Sequence, residues 1–171
     1  MRLYSGRIPL IAEELARALT KDGDIEVLEE DMAEVALDIE SVLKEYVRVE
    51  REITERARDI IASRDLPYNQ LQKVKAQVAA ERQFGVGEEA IDYICNQIIE
   101  MLFHTRHVQE VYAEDHDLRR KMRPVLRKHM SLDQELDQEV RGRIKNLQEG
   151  TSTWEIEYQR VMEELKRTRK L

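Results

Sequence analysis

The sequence predicts an all-α, elongated protein made of two related three-helix units with long, coiled-coil-like helices. Charged residues make up 37% of the chain, which has only 6 glycines and 3 prolines. Few turn formers together with many Glu, Arg, Lys, Leu and Ala residues are typical of long helices. Two further observations support the prediction. Apolar residues recur in steps of three and four, and the whole pattern begins again 83 positions further along.

Three helices are predicted in the first half of the chain. A short helix over 6–20 has one apolar face and stops near Gly23, a residue suited to ending a helix. A long helix over 28–63 follows and is broken by Pro67. Its apolar residues alternate steps of four and three like a coiled-coil seam, at Leu28, Met32, Val35, Ile39, Val42, Tyr46, Val49, Ile53, Ala57 and Ile60. A third helix carries Leu71, Val74 and Val78.

The second half repeats this order. Its first helix carries Ile91, Ile94, Ile98 and Leu102, each 83 positions after Ile8, Ile11, Leu15 and Leu19. The seam that follows contains Val111, Leu118, Met122, Val125, Leu132, Leu136 and Ile144. Pro124 predicts a kink near 120–124. Capping boxes are predicted from Ser131 with Gln134 and from Ser152 with Glu155. A shared period is the signature of repeated units, so we divide the chain into repeats 1–83 and 84–171, joined near Phe84 to Gly87.

A family resemblance is carried by the last third of the chain. The run 137–144, the turn 150–153 and the segment 154–158, which reads WEIEY, resemble the bacterial family catalogued as domain of unknown function 507. The resemblance is best from about 120 to 171 and weaker in the first half. It implies a small all-helical bacterial protein. It transfers no catalytic residue, because the family has no agreed activity.

Cysteine usage and hydropathy predict a soluble cytoplasmic protein. The only cysteine, Cys95, lies in an apolar run and has no partner for an internal disulfide, which favours a reducing compartment and a buried thiol. No apolar run approaches the ~20 residues that span a bilayer, and the first residues do not form a signal-peptide core. We therefore expect no membrane partner.

Charge is distributed unevenly along the chain. The net charge of −7 disfavours a general polyanion binder. The segment 22–40 has nine acids and no base, whereas 118–132 has no acid and six bases, the candidate binding residues Arg119, Arg120, Lys121, Arg123, Arg127 and Lys128. This basic run and the tail Lys166–Lys170 are what a phosphate-binding surface would contain. The alternative, which we prefer, is contact with the acidic run, where Glu30, Glu34 and Asp38 are the expected partners of Arg119, Arg120 and Arg123.

Signatures of catalysis and metal binding are weak. Glu100, His104 and His107 are spaced i, i+4 and i+7 as if on one helix face, but neither the Glu-x-x-His nor the His-Glu-x-x-His spacing is present. We therefore predict no metal and no cofactor. Gly85 and Gly87 are isolated and form no phosphate-binding loop. An enzyme is the least supported class.

The expected function is a non-enzymatic helical interaction or scaffold protein that binds a protein partner or itself. The first alternative is an RNA- or DNA-binding protein that uses the basic run and the tail. The second is a helical metal-binding protein. The first two are distinguished by whether the basic run meets phosphates or carboxylates.

Overall fold

The computed structural model describes residues 1–171, which form helices and one short β-ribbon. The helices are α1 (Ile8–Thr20), α2 (Met32–Ser63), α3 (Leu71–Glu81), α4 (Ala90–His104), α5 (Asp115–Met130), α6 (Leu132–Arg143) and α7 (Ser152–Arg169). The strands β1 (Ile25–Glu26) and β2 (Glu110–Val111) pair antiparallel. The predicted all-α class is confirmed. Strands of two residues are too short to leave an alternating pattern, so the ribbon was not predicted.

The helices of the first half lie close to their predicted ranges. Gly23 adopts a left-handed φ of +76° in the turn after α1, a conformation that glycine enters without a steric penalty. The long helix ends at Ser63, the predicted residue. It begins later than predicted, at Met32, because Leu28 is extended, with ψ of 147°, and residues 29–31 form a 3₁₀ turn.

The second long helix is divided into α5 and α6. Helix α5 is continuous through 120–124, and the break lies at Ser131. The capping box predicted from Ser131 and Gln134 is wrong. An N-cap residue needs extended backbone to aim its side chain at the helix, whereas Ser131 has φ −86° and ψ −1° and forms no cap hydrogen bond.

The last helix is capped one residue earlier than predicted. Thr151, not Ser152, is the N-cap residue, and its Oγ1 accepts a hydrogen bond from the backbone N–H of Trp154 at 3.3 Å. Thr151 has the extended backbone that a cap requires, with φ −89° and ψ 154°. The capping box of Ser152 and Glu155 is therefore wrong, although the predicted start of the helix is right.

The buried face of α2 differs from the predicted seam. It consists of Val35, Ile39, Leu43, Tyr46, Ile53, Ala57 and Ile61. Leu43 and Ile61 lie outside the predicted seam, although their match with Leu126 and Ile144 at the 83-residue spacing predicts that both are buried, as they are. Within that seam, Leu28 is 45% exposed, and Val42 and Val49 are only half-buried. A coiled coil buries one narrow seam against one partner, but α2 packs against α1, α3 and α4 and so needs a broader apolar face.

Both halves of the chain contribute to one main core of 31 buried residues between Leu3 and Met130. Helix α1 packs against α2 and α5, and α4 packs against α5 and α2. Each short helix therefore contacts the long helix of both halves. A smaller second core joins α6 and α7 and consists of Tyr4, Leu136, Val140, Ile144, Val161 and Leu165. None of the helices combines the length and apolarity needed to cross a membrane.

Candidate functional site

The exposed face of α5 carries four of the six predicted binding residues. Arg120, Arg123, Arg127 and Lys128 line an open depression of about 460 Å³ together with Pro124 and Ser131. These positions lie near one another because a helix turns once every 3.6 residues. The lining contains no carboxylate and no aromatic ring. We call this surface the basic face.

Three cations of the basic face have a carboxylate neighbour outside the depression. The pairs are Arg120 with Asp117 at 2.8 Å, Arg123 with Asp92 at 2.7 Å and Lys128 with Glu14 at 3.3 Å. Arg127 is exposed and forms none of the ion pairs of the chain. An exposed ion pair contributes only about 0 to 1 kcal/mol, so a stronger anion can compete for these side chains.

The other two predicted binding residues form hydrogen bonds with side chains of other elements of the fold. Arg119 Nε donates to Asn96 Oδ1 on α4 at 2.8 Å. Lys121 Nζ donates to Asp22 Oδ2 at 2.8 Å and also to Asp24. Hydrogen bonding by Lys121 lowers the pKa of the Asp22 carboxyl. These two cations therefore join α5 to α4 and to the turn after α1.

The predicted contact between the basic and acidic runs is formed by Lys121 alone. The structure contains none of the expected pairs between Arg119, Arg120 and Arg123 on one side and Glu30, Glu34 and Asp38 on the other. Helix α5 packs beside α1 and α4, so the nearest carboxylates lie on α4 and on α5 itself. Asp38 meets Thr105 Oγ1 at 2.5 Å and His107 Nδ1 at 2.9 Å instead.

We expect Lys121→Gln to lower the midpoint of urea unfolding at low salt, because it removes the cation that Asp22 and Asp24 share. The difference should shrink in 1 M NaCl, where charges are screened over about 3 Å. Arg120→Gln removes the same charge from an exposed pair within one helix and should change the midpoint little. Equal losses for the two variants would contradict this assignment.

An apolar groove of about 430 Å³ lies between α2 and α4. Its apolar lining consists of Val42, Tyr46, Val49, Phe84, Tyr93, Ile94 and Met101, and its polar lining consists of Asp38, Ser41, Glu45 and Gln97. Two of these, Val42 and Val49, are the half-buried residues of the predicted seam. The groove therefore presents to solvent the part of the seam that the core leaves uncovered.

Three aromatic rings form one end of the groove. Tyr46 stacks on Phe84 with ring centroids 4.9 Å apart, and Phe84 lies 4.6 Å from Tyr93. The Tyr46 hydroxyl donates to the Gly85 carbonyl at 3.1 Å. Burial raises the pKa of Tyr46 above its ordinary value, so the hydroxyl stays protonated. This end of the groove is a wall of packed aromatic rings.

A polar cleft of about 850 Å³ is lined by the first five residues, α2, α3, the connection between α3 and α4, Asp133 and the end of α7. Glu50 and Lys75 pair within it. Burial, and then the charge of Arg2, lower the pKa of Lys166 at its edge. The lining contains no histidine or cysteine, the side chains most readily used as a base or nucleophile near neutral pH. The cleft is assembled from six separate segments of the chain, and no sequence pattern marks it.

Comparison with known proteins identifies the family. The model of the family described as protein of unknown function, DUF507, matches residues 1–171. The chain belongs to this family. The resemblance predicted from about 120 to 171 is confirmed and extends through the first half. No curated protein matches the chain. The DUF507 description names no activity.

In this DUF507 protein the three weak metal candidates do not converge. Glu100 and His104 are exposed on α4, which ends at His104. His107 lies beyond the helix and faces Asp38. The predicted placement of all three on one helix face is therefore wrong, because the helix stops before His107. No group of three His, Cys, Asp or Glu side chains is arranged to hold a metal ion.

Cys95 is part of the main core of the DUF507 chain. It is fully buried on α4, as predicted. Burial raises the pKa of its thiol to about 12. A thiol needs exposure and a lowered pKa to react as a thiolate near neutral pH, so Cys95 acts as a small apolar residue.

Proposed function

We propose that this DUF507 protein is a non-enzymatic interaction protein whose groove between α2 and α4 binds one helix of a protein partner. A volume of about 430 Å³ accommodates a few large apolar side chains. Amphipathic helices bind such grooves through apolar residues at i, i+3 or i+4, and i+7. The observation that carries the proposal is a difference between this groove and the corresponding helix contact in the other half of the chain.

Residues that lie 83 positions apart in the chain also make corresponding contacts. Lys121 corresponds to Asp38, and their bonding partners correspond in the same order, Asp22 with Thr105 and Asp24 with His107. The contact is therefore made twice, and the residue on the long helix changes from the carboxylate of Asp38 to the ammonium of Lys121. The reciprocal packing of α1 on α5 and of α4 on α2 follows the same relation. These observations support two copies of one unit, 1–83 and 84–171, related by a pseudo-twofold axis.

The packed contact between α1 and α5, which corresponds to the α4–α2 contact at the open groove, is bridged by polar and charged side chains. Glu14 on α1 lies 3.3 Å from Lys128 Nζ and 3.1 Å from Nε2 of the buried His129, both on α5. In the open groove the corresponding residues are Gln97 and Glu45, which are not bonded to each other. Glu45 pairs with Arg48 on its own helix instead. The α1–α5 contact is thus bridged by the chain itself, whereas the groove between α4 and α2 is left open for a partner.

The rim of the open groove indicates the chemistry of that partner. Asp38 and Glu45 stand on the α2 side, and no cation lines the groove. A helix with apolar anchors flanked by Lys or Arg would supply the cation that Lys128 supplies in the α1–α5 contact. Each fully buried Leu or Val side chain would contribute about 1.5–3 kcal/mol.

We also propose that the protein is elongated and that it is located in the cytoplasm. Helix α2 has 32 residues and is therefore roughly 48 Å long. The accessible surface is 10844 Å², compared with about 8,800 Å² for a compact monomer of the same mass. The unpaired Cys95 is compatible with a reducing compartment.

A displayed library of helical peptides tests the groove directly. Peptides selected on the full-length protein should combine apolar residues at helical spacing with Lys or Arg on one flank. Binding should be lost in Glu45→Lys/Gln97→Glu, which places the equivalents of Lys128 and Glu14 across the groove. We expect an affinity loss of at least tenfold by fluorescence anisotropy, because the new pair covers the apolar lining.

The control has the same change of net charge elsewhere. Glu34→Lys/Gln77→Glu alters two exposed residues outside the groove and should leave peptide affinity within about twofold, since rim-distant charges contribute little. Urea unfolding of each variant shows whether the fold is kept. The proposal would be overturned by selected peptides that bind the wild type and both double variants equally, or by peptides that carry acidic flanks.

A further inference from the structure

We propose, independently of the groove, that the basic face of α5 binds the phosphate backbone of a nucleic-acid duplex. The face combines three features: its lining has four cations, it has no acid, and it is open to solvent. The apolar cores do not require this clustering, because Arg120, Arg123 and Arg127 are exposed and lie outside both of them.

The spacing of the cations suits a row of phosphates. From 120 to 128 the helix rises roughly 12 Å. Phosphates along one strand are spaced by about 3.4 Å of helix axis, so the row spans about three of them. Guanidinium groups can bond phosphate oxygens through two nitrogens at once. Arg127 has no carboxylate partner and is the side chain best placed to begin the contact.

The composition of the face favours a duplex over a single strand. Proteins that bind single strands stack bases on aromatic side chains, and no aromatic residue lines the depression. The lining also lacks Asn and Gln, the residues that most often read adenine edges. We therefore expect contact chiefly with the phosphate backbone of a duplex.

The acidic neighbours limit the strength of this binding. Asp117, Asp92 and Glu14 each pair with one cation at the edge of the face, and the net charge of −7 repels a polyanion at longer range. Exposed pairs are weak enough for phosphate to displace the carboxylates. The expected dissociation constant is that of non-specific binding, about 10⁻⁴ to 10⁻⁶ M.

Salt dependence measured by fluorescence anisotropy tests the inference. Labelled 20-bp DNA and RNA duplexes of one sequence are titrated with the full-length protein between 50 and 200 mM NaCl. Three phosphate contacts predict a slope of log K against log salt of about −2.7, a loss of roughly 40-fold across this range. In Arg120→Gln/Arg123→Gln/Arg127→Gln the slope should fall to about −1, and affinity at 50 mM should fall at least tenfold. Arg127→Gln alone should lower the slope by about 0.9.

A matched variant separates the basic face from net charge. Arg56→Gln/Arg64→Gln/Arg106→Gln removes three exposed arginines elsewhere and should change affinity less than twofold. The inference would be overturned by equal losses in both triple variants, or by no duplex binding at 50 mM salt and 100 μM protein. Binding to vesicles containing phosphatidylserine without binding to either duplex would also overturn it. The relative affinities of the two duplexes decide between DNA and RNA as the ligand.

Discussion

Leu43→Ala is expected to lower the free energy of unfolding by about 3 kcal/mol, whereas Val42→Ala should lower it by about 1 kcal/mol. Leu43 is 0% exposed in the main core, so its truncation removes apolar contacts and leaves a cavity. Val42 lines the open groove and is only half-buried, so water fills the space that its truncation creates. Urea unfolding of the three proteins at one pH and salt concentration measures the difference.

This comparison of neighbouring residues decides which face of α2 is packed. A coiled-coil seam assigns Val42 to the core, whereas the structure assigns Leu43. Lys44→Ala, at an exposed position on the same turn, is the control and should change the free energy by less than about 0.5 kcal/mol. A larger loss for Val42→Ala than for Leu43→Ala would contradict the packing described here.

The predicted seam and the observed buried face of α2 differ because the seam keeps a strict seven-residue period. The sequence was sufficient to predict that α2 is a single long helix and that it ends at Ser63, since an unbroken apolar period and Pro67 are local signals. A period of 3.5 residues, however, drifts by about 20° per heptad relative to a straight helix. Between Leu28 and Ile60 the drift amounts to nearly one residue, and the buried position at the end of α2 is accordingly Ile61.

The charged contacts show a different limit of prediction. Runs of opposite sign predicted that α5 would meet the acidic segment, and Lys121 does reach Asp22 and Asp24 across 97 or more positions of chain. Which cation makes the contact depends on the direction in which each side chain leaves α5, and a run of six bases does not specify it. The groove was not predicted because a space between two helices has no residue pattern of its own. Its walls come from α2, α4 and the segment around Phe84, which only the folded chain brings together.

Glu14→Ala is expected to lower the free energy of unfolding by about 2 kcal/mol at pH 6, because it leaves the buried His129 without its carboxylate partner. His129 is 4% exposed, and its Nε2 lies 3.1 Å from Glu14 Oε2. The bond joins α1 to α5 and therefore one half of the chain to the other. Glu13→Ala is the control, since Glu13 pairs only with Arg17 on the same exposed helix surface. It should cost less than about 0.5 kcal/mol.

The pH dependence of this difference separates charge from packing. Burial acts to raise the pKa of Glu14, but hydrogen bonds from His129 and Lys128 outweigh burial and lower the pKa below its ordinary value of 4.5. A carboxyl with a lower pKa in the folded state stabilises the fold above its unfolded pKa, and this stabilisation is lost as pH falls through the folded pKa. The difference between wild type and Glu14→Ala should therefore be full at pH 6 and shrink below about pH 4.5 as the carboxyl is protonated. Urea unfolding at pH 6, 4 and 3 measures it, and a difference that stays constant down to pH 3 would show that Glu14 stabilises the two halves through packing rather than through its charge.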